Sequence, residues 1–252
     1  TYKRGIDFIN VPTSTLAMID SSVGGKTGID FNGVKNVIGT FYEPKLVLID
    51  FSTLKTLDER QYKSGLGEVL KYAFIENNCG YKHPLFLFEA LTLSSEKLLS
   101  RDLKTLIRVI EHCLNLKISV VNQDEKESGL RKILNFGHTF GHAYESYFSM
   151  KEYLHGEAVA LGILTVSKNK SYYNELKQLF NKWGITTNNT VENNKIIDLI
   201  RNDKKSDNDI IDLIIVDEIG SANIVPTSIN NLYQFLENEK WAQLLEKLLK
   251  SL

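Results

Sequence analysis

Apolar residues along this chain fall into two regimes. Over the first fifty residues they come as short unbroken runs, at residues 7–11 (Phe8, Ile9, Val11) and at 46–49 (Leu46, Val47, Leu48, Ile49). Short apolar runs bounded by turn residues predict buried strands of an α/β sheet. Between them lie a helix start near residues 13–22 and a loop rich in glycine and serine. After Asp50 the period becomes helical. Leu103, Leu106, Ile107, Ile110, Leu114, Ile118 and Val121 recur at steps of three and four, which predicts one long amphipathic helix. The same pattern predicts helices over 64–77, 135–148, 156–169, 174–183 and 234–249. Two runs at 211–216 and 221–225, joined by a turn around Gly220, predict a strand pair. The expected fold class is α/β plus all-α. Residues 1–52 form part of an α/β domain and 53–252 a large helical domain.

Composition narrows the function classes. The chain has 252 residues, 42% of them hydrophobic, enough to bury a core. Thirty basic residues balance 31 acidic ones, so no basic field points to nucleic acid. Anion binding must come from local lysines and arginines. No apolar run has transmembrane length, and no membrane partner is expected. The two cysteines, Cys79 and Cys113, make no disulfide framework, and a reducing cytoplasm is the expected compartment. The chain starts at Thr1 with no signal peptide, and its first strand has no partner before it. It is expected to be part of a longer protein.

Three segments carry candidate chemistry. Asp20-Ser-Ser-Val-Gly-Gly-Lys26-Thr27-Gly28 resembles a P-loop but has Asp20 where that motif needs its first glycine, which excludes the nucleoside-triphosphatase reading. What remains is a glycine-rich turn with one lysine, equally an ordinary loop or a place where backbone approaches a ligand. In Asn135-Phe-Gly-His138-Thr-Phe-Gly-His142 the histidines are four apart and share a helix face. A metal needs a third ligand, for which His155 and Glu68 are both candidates. The HExxH pattern is absent, which argues against a zincin protease. Lys117 falls on the apolar stripe of its helix, where a lysine either snorkels or serves a site. Glu68 and Lys71 share a helix face, and an exposed ion pair would look the same.

Taken together and in order, these segments resemble the 3-dehydroquinate synthase family. The resemblance runs from Arg4-Gly5 to Asp203-Lys204-Lys205. Its most specific pieces are Pro12-Thr13-Ser14 followed by the glycine-rich turn, Lys35-Asn36-Val-Ile-Gly39-Thr-Phe41, Gly67-Glu68-Val-Leu-Lys71-Tyr72, Arg131-Lys-Ile-Leu-Asn135-Phe-Gly-His138-Thr-Phe-Gly-His142 and His155-Gly156-Glu157-Ala158. The resemblance implies the C-terminal part of a Rossmann-like NAD domain followed by a helical zinc- and substrate-binding domain. Zinc ligands are then Glu68, His138 and His155, with cobalt also accepted by such a donor set. His142 becomes a substrate contact. Asp20, Lys26, Asn36, Lys71, Lys117, Arg131, Asn135 and Lys204 are implied to line the substrate site, and Arg4 to reach across a homodimer interface. Thr13, Ser14, Asp20, Lys26, Lys35 and Thr56 are implied NAD contacts.

The implied reaction converts 3-deoxy-D-arabino-heptulosonate 7-phosphate to 3-dehydroquinate and phosphate. It proceeds by transient oxidation with NAD, phosphate elimination, reduction and intramolecular aldol closure. The substrate is a small sugar phosphate with two anionic ends, which matches the ring of Lys and Arg. The family's pyrophosphate-binding glycines and ribose-binding acid are absent from this chain. The missing part would be about 100 residues, one half of a dinucleotide fold. Three other readings remain: a cyclase acting on sedoheptulose 7-phosphate, a metal-dependent polyol dehydrogenase, and a non-catalytic zinc-binding or dimerisation fragment.

Overall fold

The computed structural model describes residues 5–31, 34–80, 86–149, 151–186, 190–203 and 209–236, without the side chains of 30 and 34–37. Arg4, Lys204, the side chains of Lys35 and Asn36, and all but the start of the helix expected over 234–249 lie outside the described residues.

The two expected strands form and pair with each other, but they are exposed where burial was expected, because among the described residues their sheet has two strands. β1 (Ile9–Asn10) runs parallel to β4 (Leu46–Val47), with Ile9 opposite Leu46. A π-helical turn, Ala17–Ser21, follows β1 and buries Met18 and Ile19. Residues 22–25 form the expected glycine-rich turn, with Gly24 and Gly25 at φ 96° and 65°, and the chain then enters strands that were not expected. They form an antiparallel hairpin of β2 (Lys26–Phe31) and β3 (Val34–Phe41), in which the Thr27 and Thr40 hydroxyls lie 2.8 Å apart.

The helical part begins with a 3-10 turn, Phe51–Lys55, and then α1 (Glu59–Ile75). Asp58 caps α1 by accepting from the Arg60 and Gln61 amides, so the helix starts five residues before the expected one. Two short helices, α2 (Leu87–Leu93) and α3 (Ser95–Leu99), precede α4 (Leu103–Gln123), which is the long amphipathic helix the periodicity predicts. A 3-10 turn at Leu130–Asn135 leads to α5 (His138–Tyr147), then α6 (His155–Val166), α7 (Tyr173–Trp183) and α8 (Asn193–Asp203). The strand pair appears as β5 (Ile210–Glu218) and β6 (Ser221–Ser228), and a last short helix, α9, spans Tyr233–Leu236. The second part is therefore helical with one hairpin.

β5 buries Ile211, Leu213, Ile214 and Val216, and α1 is buried on nearly every side. Phe74 of α1 sits among Phe88, Phe136 and Tyr172, at ring-centroid distances of 5.6, 5.4 and 5.0 Å. This aromatic centre fixes α1 as the axis on which the other helices stand.

Candidate metal and anion site

α1, α5 and α6 come together unusually closely. A Cβ on Gly156 would lie 1.8 Å from the Ser64 carbonyl, and one on Gly162 would lie 2.0 Å from the Gly137 carbonyl. Any side chain at either position would drive the helices apart. The closeness brings Glu68 of α1, His138 at the start of α5 and His155 at the start of α6 together, with ligand atoms within 4.8 Å of one another. Glu68 Oε1 lies 3.4 Å from His138 Nε2 and 3.2 Å from His155 Nε2. Arg60 binds Glu157 through two nitrogens at 2.8 and 2.7 Å, and Glu157 accepts the Leu154 amide, which pins the start of α6 to α1.

Glu68 is fully buried, and neither carboxylate oxygen has a hydrogen-bond donor. Oε2 is 2.7 Å from Lys71 Nζ, an ion-pair distance without hydrogen-bond geometry. A buried carboxylate oxygen facing two imidazole nitrogens is a donor set for a divalent cation, with positions left for outside ligands. The residues fit the group. Burial opposes ionisation of Glu68, but Lys71, His138 and His155 hold its carboxyl below the usual range. Burial draws His138 down to about 3, so its ring is neutral. His155 goes the other way, to about 10. Burial opposes this shift, and the carboxylates of Glu145 and Glu68 outweigh it. The third histidine, His142, is half-exposed. Its ring centroid is 5.4 Å from that of His138 and 5.9 Å from that of His155, and its Nδ1 is 3.8 Å from Asp203 Oδ2.

Beside this triad stands a cluster of cations. Lys117 does not snorkel. Its Nζ is 2.9 Å from Asp20 Oδ1 and also donates to the Asp20 carbonyl. Lys71 Nζ is 3.8 Å from the same Asp20 oxygen, and the Tyr72 hydroxyl donates to it at 2.7 Å. Burial would raise the Asp20 carboxyl, but Lys71, Lys117 and Tyr72 together hold it well below the usual range. Burial lowers Lys117, with Asp20 opposing, while for Lys71 the carboxylates of Asp20 and Glu68 outweigh burial and raise it. Arg131 is buried, and its Nη2 donates to the Gly24 carbonyl at 2.7 Å, tying the helical part to the glycine-rich turn.

The structure thus gathers Asp20, Lys71, Lys117 and Arg131 around one point next to Glu68, and joins Lys26 and Asn135 through Glu127, whose two carboxylate oxygens take one each. A cavity of about 400 Å³ opens beside Glu127 and Asn135. Glu127, Tyr72 and Glu145 were not singled out from the sequence. Glu145 had a signal, since it lies seven residues after His138 on the same helix face. Glu127 had none, being one acid in a polar loop at φ 60°. Among the expected NAD contacts, Thr13 and Ser14 follow the carboxyl end of β1, and Thr56 ends the turn after β4. Thr13 and Thr56 are exposed, and the Ser14 hydroxyl accepts the Ala17 amide at 3.3 Å. Carboxyl ends of parallel strands are where dinucleotides sit in open α/β sheets.

Comparison with known proteins decides the family. Family models match end to end: 3-dehydroquinate synthase N-terminal over residues 1–64, and 3-dehydroquinate synthase C-terminal over 65–206. The chain belongs to the 3-dehydroquinate synthase family. A 3-dehydroquinate synthase of Dictyoglomus turgidum is 44% identical over 232 residues, covering 89% of this chain and 63% of that protein. One from Clostridium perfringens is 41% identical over 239 residues, covering 91% and 65%. The chain therefore spans about 63% of the length of the first of these relatives. Among solved structures, 2-epi-5-epi-valiolone synthase from Streptomyces hygroscopicus, with NAD+ and Zn2+ bound, is 23% identical, covers 93% of this chain and 66% of its own, and superposes with a TM-score of 0.82. A 2-deoxy-scyllo-inosose synthase complexed with carbaglucose-6-phosphate, NAD+ and Co2+ is 26% identical, covering 92% and 66%, with a TM-score of 0.77. These superpositions establish the expected fold, a dinucleotide-type α/β part ahead of a helical part.

Proposed function

We propose that this chain supplies the metal- and substrate-binding part of a 3-dehydroquinate synthase, a phosphate-eliminating enzyme that turns 3-deoxy-D-arabino-heptulosonate 7-phosphate into 3-dehydroquinate. The observation that carries the proposal is the buried Glu68, His138 and His155 triad standing directly against Lys71, with Asp20, Lys117 and Arg131 behind it. Glu68, His138 and His155 are the ligands of a divalent cation, zinc or cobalt, and Thr13, Ser14, Lys35 and Thr56 hold NAD. When bound, the cation polarises a substrate hydroxyl, and NAD takes up and returns a hydride.

The chain's own residues do the rest. Lys71, Lys117 and Arg131 present positive charge where an anionic substrate must lose its hydration, and Lys26 lies at the open edge of the same cluster. Asp20 holds Lys71 and Lys117 in place, so their ammonium groups are positioned before substrate arrives. Asn135 and His142 offer hydrogen bonds to hydroxyls, joined by Asn36 and Lys204 as the resemblance implies. Arg4 matches a residue that crosses to a partner, and a homodimer is the proposed assembly.

The test uses the longest polypeptide that carries this sequence. Phosphate release from 3-deoxy-D-arabino-heptulosonate 7-phosphate is measured with zinc and NAD, alongside bound zinc. Glu68→Ala and His138→Ala should each lose bound zinc and turnover. Full zinc stoichiometry in both variants would overturn the ligand set. Turnover of sedoheptulose 7-phosphate or a simple polyol in place of the heptulosonate would overturn the substrate.

A further inference from the structure

Glu145 plays no part in the reading above, yet its side chain is only 7% exposed. A carboxylate that deep costs stability unless something pairs with it. Its Oε1 lies 3.3 Å from His155 Nδ1, the ring nitrogen opposite the one that faces Glu68. An imidazole that donates its Nδ1–H to a carboxylate keeps the Nε2 lone pair for a metal, with tautomer and ring plane fixed. The two histidines of the triad differ in what holds them. His138 has its Nδ1 3.2 Å from the Phe136 carbonyl, so backbone orients it. His155 is the first residue of α6, and its side chain is 31% exposed. Its Nδ1 faces a side chain instead.

We infer that Glu145 is a positioning residue of the metal centre: by accepting the Nδ1–H of His155 it fixes that ring with Nε2 turned toward Glu68 and His138, and so tightens the site for a divalent cation. The inference rests on Glu68, His138 and His155 being the ligands. One rival geometry is present. His142, Glu145 and His155 also bring ligand atoms within 4.8 Å, so Glu145 could itself ligate a second ion. The Nδ1 of His155 cannot both donate to Glu145 and bind that ion, which makes the two arrangements exclusive and separable.

Zinc affinity is measured by competition with a chromophoric chelator on this chain, on Glu145→Ala and on Glu145→Gln, with each thermal midpoint taken without metal. Glu145→Ala should weaken zinc by about 10–100-fold, the usual effect of losing such a partner. Glu145→Gln, whose amide oxygen still accepts, should recover most of that loss, and the metal-free midpoints should agree. The visible spectrum of the cobalt form should change in Glu145→Ala and not in Glu145→Gln. Should Glu145→Ala fail to fold, Glu145→Met fills the volume without the oxygen and takes its place. Equal affinity in parent and Glu145→Ala overturns the inference, as does a loss that glutamine fails to rescue. Two bound zinc ions in the parent and one in Glu145→Ala would make Glu145 a ligand and overturn it too. A parent that binds no zinc overturns the metal site itself, and the inference with it.

Discussion

Lys71, Lys117 and Arg131 carry three positive charges into the interior, at 1, 5 and 2% exposure. Each has an oxygen to meet: Glu68 for Lys71, Asp20 for Lys117, and the Gly24 carbonyl for Arg131. Asp20 is the pivot, since two lysines share it. Asp20→Asn takes away the carboxylate paired with Lys117 and leaves Lys71 with Glu68, and breaking a buried pair on one side costs about 3–5 kcal/mol. Urea unfolding should show a loss of that size, and a loss below about 1 kcal/mol would mean that solvent reaches the pair. Asp124 gives a pH prediction. Its carboxylate accepts the amides of Ser128, Gly129 and Arg131, and these hydrogen bonds lower its pKa to about 2. The charged form is the stabilising one, so the contribution is present above the ordinary carboxylate value near 4 and is lost as pH falls through about 2. The stability gap between parent and Asp124→Asn should be constant above about pH 5 and shrink below pH 4. A gap that widens toward acid would contradict this sign.

Helix α4 was legible because seven apolar residues recur at helical steps. The β2–β3 hairpin was not. The apolar residues of β3, Val34, Val37, Ile38 and Phe41, do not alternate, those of β2 are only Ile29 and Phe31, and the pairing is set by register across the hairpin, which no local pattern encodes. Helices α2 and α3 offer, at 7 and 5 residues, few turns over which to see a period, whereas α8 carries a helical period of its own in Ile196, Ile197 and Ile200, as legible as that of α7. The glycines between α5 and α6 are a packing requirement that no motif in the sequence pointed to. Gly162→Ala would place a methyl 2.0 Å from the Gly137 carbonyl between α5 and α6. We expect a loss of about 1–3 kcal/mol from overpacking, and weaker zinc binding with it, because those helices carry His138 and His155. Arg60→Ala removes a partly exposed clamp and should cost less stability than Gly162→Ala. Thermal and chelator titrations of both variants check the order.

The two parts of the molecule differ in how well they are covered. The helical part has its core enclosed around α1, whereas the strands at the front leave apolar side chains bare. Ile9 and Leu46 of β1 and β4 are 58 and 51% exposed, and Ile29 and Ile38 of the hairpin 60 and 45%. Patches of this kind mark interaction surfaces or association liabilities. This chain by itself should therefore self-associate. Ile29→Thr combined with Ile38→Thr, which keeps β propensity on facing strand positions, should reduce that association. Sedimentation velocity over a concentration series measures it, and an unchanged distribution would place the contact elsewhere. Among the described residues no helix is long and apolar enough to cross a membrane.

The sequence by itself determined the two regimes of the chain, because strand and helix periods are local and survive in any context. It also determined the ligand candidates, since His138 and His142 at four-residue spacing must share a helix face. Only the tertiary structure decided which residues meet. Glu68, His138 and His155 come from three helices; residue spacing left Glu68 and His155 both open as partners of the histidine pair, the family resemblance implied Glu68, His138 and His155, and the structure sets a buried carboxylate 70 residues earlier than His138 against two imidazoles. The same holds for Lys117, whose partner Asp20 is 97 positions away. Charge burial is a property of what surrounds a group, and periodicity along one helix carries no record of its neighbours.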